Sequence, residues 1–274
     1  MTHALAVTDD PHRLTPRAQG VLRIGARGGN RLADLRQQGA SKAFFPRHAG
    51  RDLLAVTLNT AGGVTGGDRF AIGGDAAAGS HLTLTTQTAE RIYKAQPGQT
   101  ARMTTDLTIG PRARIDWIPQ ETILFDRAGL RRRLNVDMAV DAVFVGVETL
   151  VLGRALMGER VEAAHLKDDV RVTRGGELVL ADAITLDGAV SDGMAAAWCG
   201  GPARCIASVT CVAPDADRHL SRLRDLMPAT GGVSLIREGV LFARLLMPDS
   251  FDMRRVLIPI LTALRGPLPP TWTM

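Results

Sequence analysis

Four acidic residues stand in settings where a carboxylate could do chemistry. Glu121 and Asp126 flank a short apolar run, and Glu148 lies inside a longer one, Val143–Leu152. Asp68 closes a loop that is rich in glycine. A buried carboxylate costs several kcal/mol unless a cation, water or another hydrogen-bond donor meets it. Each of these acids therefore needs a partner.

Two interpretations of these acids remain open. In the first, each acid pairs with an arginine such as Arg127 or Arg154, or lies exposed on a strand. In the second, the acids form the polar lining of a cavity or channel through which a hydrated divalent cation passes. Carboxylate and water ligands hold a divalent transition metal only moderately, which suits transfer better than storage.

The glycine-rich loop, residues 59–69, could be a phosphate-binding loop or a turn. Its glycines are Gly62, Gly63, Gly66 and Gly67. The first and last have the spacing of a P-loop, but Asp68 stands where a P-loop needs lysine. Because a carboxylate there would repel a phosphate, the sequence disfavours nucleotide binding. The apolar runs on both sides predict strand, glycine hairpin, strand.

The rest of the chain offers no catalytic arrangement. The six histidines have no metal-binding spacing, and no nucleophile motif is present. Asp168-Asp169 lies in a polar segment and is interpreted as a solvated turn. Cys199, Cys205 and Cys211 lack the C-x-x-C spacing of a zinc site and are interpreted as small buried residues. We expect no catalytic residue and no tightly bound cofactor.

The charge of the chain is basic but dispersed. The net charge is +5 and the pI about 9.7, which suggests an acidic partner or surface. The one dense run, residues 131–133, is three arginines and predicts either a solvated strand face or a partner contact. Aromatic residues, at 4%, are too few for a nucleic-acid module. The absence of a signal-peptide pattern and of a membrane-length apolar run predicts a soluble, cytoplasmic protein.

Period-2 alternation recurs over most of the chain and predicts many short strands. Clear examples are residues 104–109, 114–118 and 133–138. The run at residues 143–152 is apolar almost throughout, which predicts a strand covered on both faces. Residues 30–39 have weak helical character, and their pattern is ambiguous.

Helix signals come late in the chain. Residues 214–227 have apolar positions on one helical face, and residues 250–264 predict a last helix capped by Ser250 and kinked or interrupted at Pro259. No composition break marks a linker. We expect residues 1–19 to form a flexible N-terminal tail and residues 20–274 to form a single domain.

Three motifs, in order, resemble one protein family. Residues 60–68 read T-A-G-G-V-T-G-G-D, residues 85–94 read T-T-Q-T-A-E-R-I-Y-K, and residues 119–126 read P-Q-E-T-I-L-F-D. With the closing segment at residues 269–272, they make the chain similar to the urease accessory protein D family (UreD, also called UreH). The resemblance implies a mainly β, elongated, β-helix-like fold of many strands with a few α-helices, mostly C-terminal.

The resemblance also implies a function in urease maturation without catalysis. The family acts with the helical protein UreF and the GTPase UreG on apo-urease, and the metallochaperone UreE supplies nickel. Nickel is expected to pass through the UreD-type subunit in transit. On this basis the candidate nickel-path residues are Asp68, Glu121, Asp126 and Glu148, the last mainly because of its apolar setting. No nucleic acid and no membrane are expected as partners.

An alternative from another class is a β-helical enzyme or binder that acts on polysaccharide. Such sites are rich in stacking aromatic residues and paired acids. One tyrosine and three tryptophans, with no convincing acid pair, weigh against this alternative. Binding to apo-urease would separate the two functions.

Overall fold

The computed structural model describes residues 17–154, 157–196 and 199–273. In chain order the strands are β1 (Gln19–Arg27), β2 (Arg31–Gly39), β3 (Ser41–Phe44), β4 (Leu53–Asn59), β5 (Arg69–Ala76), β6 (His81–Thr86), β7 (Glu90–Ile92), β8 (Ala101–Ile109), β9 (Arg114–Trp117), β10 (Thr122–Leu124), β11 (Gly129–Met138), β12 (Val143–Leu152), β13 (Ala163–Arg174), β14 (Glu177–Ala189), β15 (Cys205–Val212), β16 (Gly231–Arg237) and β17 (Val240–Met247). The α-helices are α1 (Val190–Ala195), α2 (Leu220–Leu226), α3 (Ser250–Arg265) and α4 (Pro270–Thr273). Of the predicted tail, residues 1–16 lie outside the described ranges, and β1 begins at Gln19.

The chain winds as a solenoid in which each turn adds a strand to each of two sheets. The first sheet has the order β14-β13-β11-β8-β5-β1-β2, and the second has the order β16-β17-β15-β12-β9-β6-β4-β3. From β4 to β13 the chain passes back and forth between the sheets, and neighbouring strands of successive turns pair in parallel. The mainly β, β-helix-like fold that the resemblance implied is confirmed.

A column of buried aliphatic residues closes the third side of these turns. Val64 bridges to Ile92 in β7, Ile92 pairs with Leu124 in β10, and Leu124 pairs with Leu152 in β12, all in parallel. None of the four is more than 6% exposed. Since three of these residues belong to the three sequence motifs, the column places motifs that are about thirty residues apart side by side.

The period-2 patterns fill the space between the sheets. Leu107 and Ile109 of β8 and Leu134 of β11 are buried in one apolar cluster there, which confirms the predicted strands. Burying each such side chain stabilises the fold by about 1.5–3 kcal/mol. Strand β12 is covered on both faces, as predicted: Phe144 faces the space between the sheets, and Val145 packs in the cluster with the helices.

Helices cover the outer face of the second sheet. Antiparallel strands β15 and β17 extend that sheet beyond β12, and Leu257 and Ile260 of α3 are buried against it. The predicted helix at residues 214–227 is a 3₁₀ turn, Ala216–His219, followed by the shorter α2. No helix in the described ranges is both long and apolar enough to span a membrane.

The N-cap of α3 differs from the prediction, and Pro259 does not interrupt the helix. Its N-cap is Asp249 and not Ser250, because the Asp249 carboxylate accepts a hydrogen bond from Asp252 N at 2.8 Å. Pro259 lies inside α3, and the helix continues through it to Arg265. The helix is therefore kept intact by its buried face despite the proline.

One sequence prediction in the N-terminal half is wrong, and the structure settles one ambiguous segment. The loop at residues 59–69 is not a hairpin, because β4 belongs to the second sheet and β5 to the first, so the loop connects the sheets. Residues 30–39 are not helical: they contain the edge strand β2, which pairs antiparallel with β1. Every residue of β2 is exposed, so no buried face imposes a strand period on its sequence.

Candidate functional site

The glycines of the loop at residues 59–69 adopt positive φ angles or pack too closely against neighbours for a side chain to fit. Gly63 has φ of 144°, and a Cβ at this position would overlap the ring of Tyr93. Gly62 and Gly67 also have positive φ, and Gly66 packs closely against Ala95. The loop can therefore lie against the next turn of the solenoid only because these positions carry no side chain.

Asp68 braces this loop. Its side chain is 3% exposed, and both carboxylate oxygens accept backbone hydrogen bonds at 2.8 Å, Oδ1 from Ala18 N and Oδ2 from Thr65 N. These two bonds tie the loop to the start of β1. Asp68 is thus satisfied by backbone donors and not by an arginine.

The three motifs surround a cavity of about 140 Å³ between the sheets. Gly62, Gln87 and Thr88 are exposed and line its mouth. Trp117 and Arg132 are buried and line its inner wall. The stacking of motifs along the buried aliphatic column explains why one cavity draws its lining from such distant parts of the sequence.

A buried ion network lies at the inner wall of this cavity. Arg132 binds Asp168 through two hydrogen bonds, Nε to Oδ1 at 2.9 Å and Nη2 to Oδ2 at 2.6 Å. Its Nη1 lies 2.6 Å from Glu148 Oε2 and donates to Thr122 Oγ1 at 2.8 Å. Trp117 Nε1 donates to Glu148 Oε1 at 2.7 Å. Two carboxylates thus share one guanidinium.

Burial sets the protonation of this network. Burial raises the pKa of Glu148, and its attraction to Arg132 does not offset burial together with the repulsion from Asp168. For Arg132, burial lowers the pKa, but the attraction of Asp168 and Glu148 outweighs it and the net shift is upward. Arg132 therefore stays charged, and Glu148 is the member of the network that lacks full compensation.

The network corrects three sequence interpretations. Asp168 is not in a solvated turn but inside β13 and 4% exposed. The arginine that pairs with Glu148 is Arg132, not Arg127 or Arg154. Of the arginine run at residues 131–133, the outer two side chains are exposed and the middle one is buried, because alternate residues of a strand point to opposite faces.

The sequence motifs gave no reason to single out Glu90, which lies at the cavity mouth. Asn59 Nδ2 faces both carboxylate oxygens of Glu90, at 3.4 Å and 3.3 Å, and Arg91 N donates to one of them at 3.2 Å. Burial raises the pKa of Glu90 to about 6. The only sequence signal was its place in the second motif, because Glu90 is not flanked by a long apolar run.

Glu121 lies on the outer side of the second sheet, not in the cavity. It lines a groove beside α3 and pairs with Arg254, with Nη1 to Oε1 at 3.2 Å. Arg254 also donates to Gln120 Oε1 at 2.5 Å. Gln87, Thr88 and Gln120 line both the cavity and the groove, so they form the wall between the two spaces.

Asp126 lies apart from the other candidates, at the entrance to β13. Its Oδ1 accepts a hydrogen bond from Ala163 N at 3.0 Å, and its Oδ2 lies 3.5 Å from Arg127 Nε. The structure therefore does not bring the four predicted acids together. Over the described ranges, no three histidine, cysteine or acidic side chains are grouped to hold a metal ion.

The cysteines agree only in part with the sequence interpretation. Cys205 and Cys211 are buried, and burial raises the pKa of each thiol to about 12. Cys199 is exposed. All three are free thiols, and none contributes to the cavity lining.

Comparison with known proteins identifies the family. The model of the UreD urease accessory protein family matches residues 17–272. The chain is 45% identical to the urease accessory protein UreD of Ruegeria sp. (strain TM1040), over 94% of this chain and 91% of that protein. It is 41% identical to the UreD of Rhizobium leguminosarum bv. viciae, over 94% and 96% of the two chains. It is 42% identical to that of Methylobacterium sp. (strain 4-46), over 93% and 95%. The chain belongs to the UreD family of urease accessory proteins.

Proposed function

We propose that the chain is a urease maturation factor that docks on apo-urease together with UreF and UreG and passes nickel to the urease active site during GTP-dependent insertion. Membership of a family of urease accessory proteins supports the role in urease maturation. GTP hydrolysis belongs to UreG in this proposal, and UreE acts indirectly as the nickel donor. The chain itself makes and breaks no covalent bond.

One observation carries the conduit part of the proposal: behind the buried wall of the cavity, two carboxylates pair with Arg132, which lines that wall. Glu148 and Asp168 share the single guanidinium of Arg132. A hydrated divalent cation in the cavity would compensate the carboxylate that Arg132 leaves incompletely neutralised. The attraction would be moderate, because the arginine already satisfies part of the charge, and moderate binding suits transfer.

The four predicted acids take different parts in this proposal. Glu148 belongs to the inner end of the path, and Glu121 lies in the outer groove, across the wall from the cavity. Asp68 and Asp126 hold the surrounding loops through backbone hydrogen bonds. The first pair would therefore attract nickel from beyond the cavity lining, whereas the second pair keeps the path in shape.

The polysaccharide alternative gains no support from the cavity. Its aromatic lining consists of Phe70 and Trp117, both buried, and the Trp117 nitrogen is engaged by Glu148. A sugar site needs exposed aromatic faces for stacking. Family membership adds a second reason to prefer urease maturation.

The test is complementation in urease-producing cells that lack this chain. We expect urease without the chain to lack nickel, and the wild-type chain to restore both nickel content and activity. Glu148→Gln should restore them poorly, whereas Glu162→Gln, which changes an exposed glutamate outside the cavity lining, should restore them fully. Urease that acquires nickel normally without the chain would contradict the whole proposal.

A further inference from the structure

Four basic side chains stand in one line on the outer face of the first sheet. The parallel register places them at equivalent positions of β5, β8, β11 and β13, and all four are exposed: Arg69, Arg102, Arg131 and Lys167. Neighbouring strands are about 4.8 Å apart, so the line spans about 14 Å. We call these four residues the basic row.

The positive charge of the basic row is poorly compensated within the chain. In the described ranges, no acidic side chain lies within ion-pair distance of its three arginines, and Lys167 meets Asp169 only at 4.0 Å. Like charges on adjacent strands repel one another, so the row weakens the free chain. A partner that brings negative charge to the row would remove this repulsion.

A depression of about 330 Å³ adjoins one end of the basic row. Arg131 and Lys167 line it, together with the hydroxyl groups of Thr100 and Thr185. The acid at its rim, Asp187, is engaged by His165. A carboxylate that enters the depression therefore finds two cationic groups and two hydroxyl donors.

The spacing of the basic row fits one side of an α-helix. Residues i, i+3, i+7 and i+10 of a helix lie on one side of it, at rises of about 4.5, 10.5 and 15 Å from the first. The positions of the row lie at about 4.8, 9.6 and 14.4 Å from its first member. The two sets agree to about 1 Å, so each of four acidic residues on one helix can lie over one basic residue.

Nucleic acid and anionic membranes fit this face less well. No phenylalanine, tyrosine or tryptophan stands at the outward positions of the four strands or in the depression, so bases find no stacking partner there. Exposed acids occupy the other end of the face, where Asp75 and Asp137 lie six residues, about 20 Å, beyond the row. A flat anionic bilayer would meet these acids as well, whereas a helix laid across the strands meets the row alone.

We propose that the basic row is the docking surface for an acidic α-helix of a partner protein, which lies across β5, β8, β11 and β13 with one carboxylate over each basic residue. The carboxylate at the end of the helix enters the depression beside Arg131 and Lys167. The inference goes beyond the proposed function, because it concerns the outer face of the first sheet and none of the four residues lines the cavity.

Binding of a synthetic peptide to the purified full-length chain tests the inference. The probe is an alanine-rich helical peptide of about 20 residues with glutamates at i, i+3, i+7 and i+10, and its isomer carries the same four glutamates spread around the helix. We expect the aligned peptide to bind at low ionic strength and the isomer to bind about tenfold more weakly, as measured by fluorescence anisotropy. Equal binding of the two peptides would overturn the inference.

Two double variants locate the binding surface. Arg102→Gln combined with Arg131→Gln removes the two central charges of the row and should weaken binding of the aligned peptide by about tenfold. Arg222→Gln combined with Arg224→Gln removes two exposed charges at α2 and should leave binding unchanged. An equal loss in both double variants would show an effect of net charge alone and would contradict a docking surface at the row.

Other partners of the row give different results. Duplex DNA or phosphatidylserine vesicles that bind the wild type and not the Arg102→Gln, Arg131→Gln variant, while the aligned peptide fails to bind, would overturn the inference. A wild-type dimer in sedimentation that this variant dissociates would show that the row meets the acidic end of a second copy, and would overturn it too. The proposed function is tested separately, by the nickel content of urease, and does not depend on either result.

Discussion

At the scale of single residues, the structure shows which of the polar side chains are structural and which are available. Asp68 and Asp126 accept backbone hydrogen bonds, and Arg132 pairs with both Glu148 and Asp168 inside the solenoid. Glu90 is left at the cavity mouth without an ion pair among the described residues. Two predictions separate these roles.

Arg132→Met should destabilise the chain strongly. Removing the guanidinium leaves Glu148 and Asp168 buried without a cation, and breaking such a pair costs about 3–5 kcal/mol. Its neighbour Arg133 is exposed, so Arg133→Met should change the free energy of unfolding by no more than about 0.5 kcal/mol. Chemical denaturation of both variants checks this, and equal midpoints would show that the network does not stabilise the fold.

Glu90→Gln should stabilise the metal-free chain above about pH 4.5, and to the full extent above about pH 6. The folded pKa of Glu90, about 6, lies above the ordinary value of 4.5, so the free energy of unfolding falls as pH rises from about 4.5 to about 6. The neutral amide avoids a cost of about 1–2 kcal/mol at pH 8 and makes no difference at pH 4. Melting temperatures of the two proteins at these pH values, in the presence of a chelator, measure the effect. A Glu90→Gln protein no more stable than wild type at pH 8 would contradict the assigned environment.

At the scale of elements, the parallel stacking of strands brings like charges together on the outer face of the first sheet. The register places Arg69, Arg102, Arg131 and Lys167 at equivalent positions of β5, β8, β11 and β13, and all four are exposed. Neighbouring strands are about 4.8 Å apart, so these like charges repel one another. The net charge predicted a basic surface without showing where it lies, and this row of four basic side chains is such a surface.

Arg102→Gln should therefore raise stability at low ionic strength. Removing one charge from the middle of the basic row relieves two neighbouring repulsions, each worth about 0.2–1 kcal/mol. The gain should disappear in 1 M salt, where the screening length is about 3 Å. Arg222→Gln, at an exposed position of α2, is the matched control and should show neither effect. If Arg102→Gln is no more stable than wild type in dilute buffer, the row is not repulsive.

A second ionic cluster fastens α3 to the second sheet. Asp116 is fully buried and lies 2.8 Å from His81 Nε2, 2.7 Å from Arg114 Nε and 3.0 Å from Arg265 Nε at the end of α3. Burial alone would raise its pKa, but the hydrogen bond of His81 and the charges of both arginines outweigh burial and hold the pKa well below its ordinary value. The carboxylate is thus charged over the whole physiological range.

Asp116→Asn should cost about 3–5 kcal/mol at pH 7, since it leaves buried arginine charge unpaired. For an acid with a lowered folded pKa, the stabilisation is present above the unfolded value of 3.8 and is lost as pH falls through the folded pKa. The difference between variant and wild type should therefore shrink below about pH 4. Urea denaturation at pH 7 and pH 3 tests this, with exposed Asp137→Asn as control. A difference that is independent of pH would exclude the ionic explanation.

At the scale of the whole molecule, local patterns predicted strands but not the way in which they assemble. Alternation in β8 and β11 and the continuous apolar run of β12 follow directly from burial on one or both faces. The solenoid followed only from the family resemblance, because the residues around the glycine loop do not reveal that β4 and β5 join different sheets. The edge strand β2 escaped prediction because it has no buried face.

Local patterns also failed to predict which residues come together at the candidate site. Apolar flanks drew attention to Glu148, but its partners come from β11 and β13, far away in sequence. Asp168 seemed solvated because an adjacent acid and lysine surround it, although strand alternation turns it inward. Glu90 could not be singled out because a cavity mouth is made by the stacking of turns, which no local pattern encodes.

The central claim is that nickel reaches urease through the cavity between the sheets. Met103 lines this cavity and makes no side-chain hydrogen bond among the described residues, so Met103→Trp would fill much of the space while Met103→Leu would keep it open. The measurement is the nickel content of urease purified from cells that carry either variant, once both chains are shown to fold and to associate with urease equally. The account predicts urease without nickel from the Met103→Trp cells and nickel-loaded urease from the Met103→Leu cells. Full nickel loading with the filled cavity would contradict it.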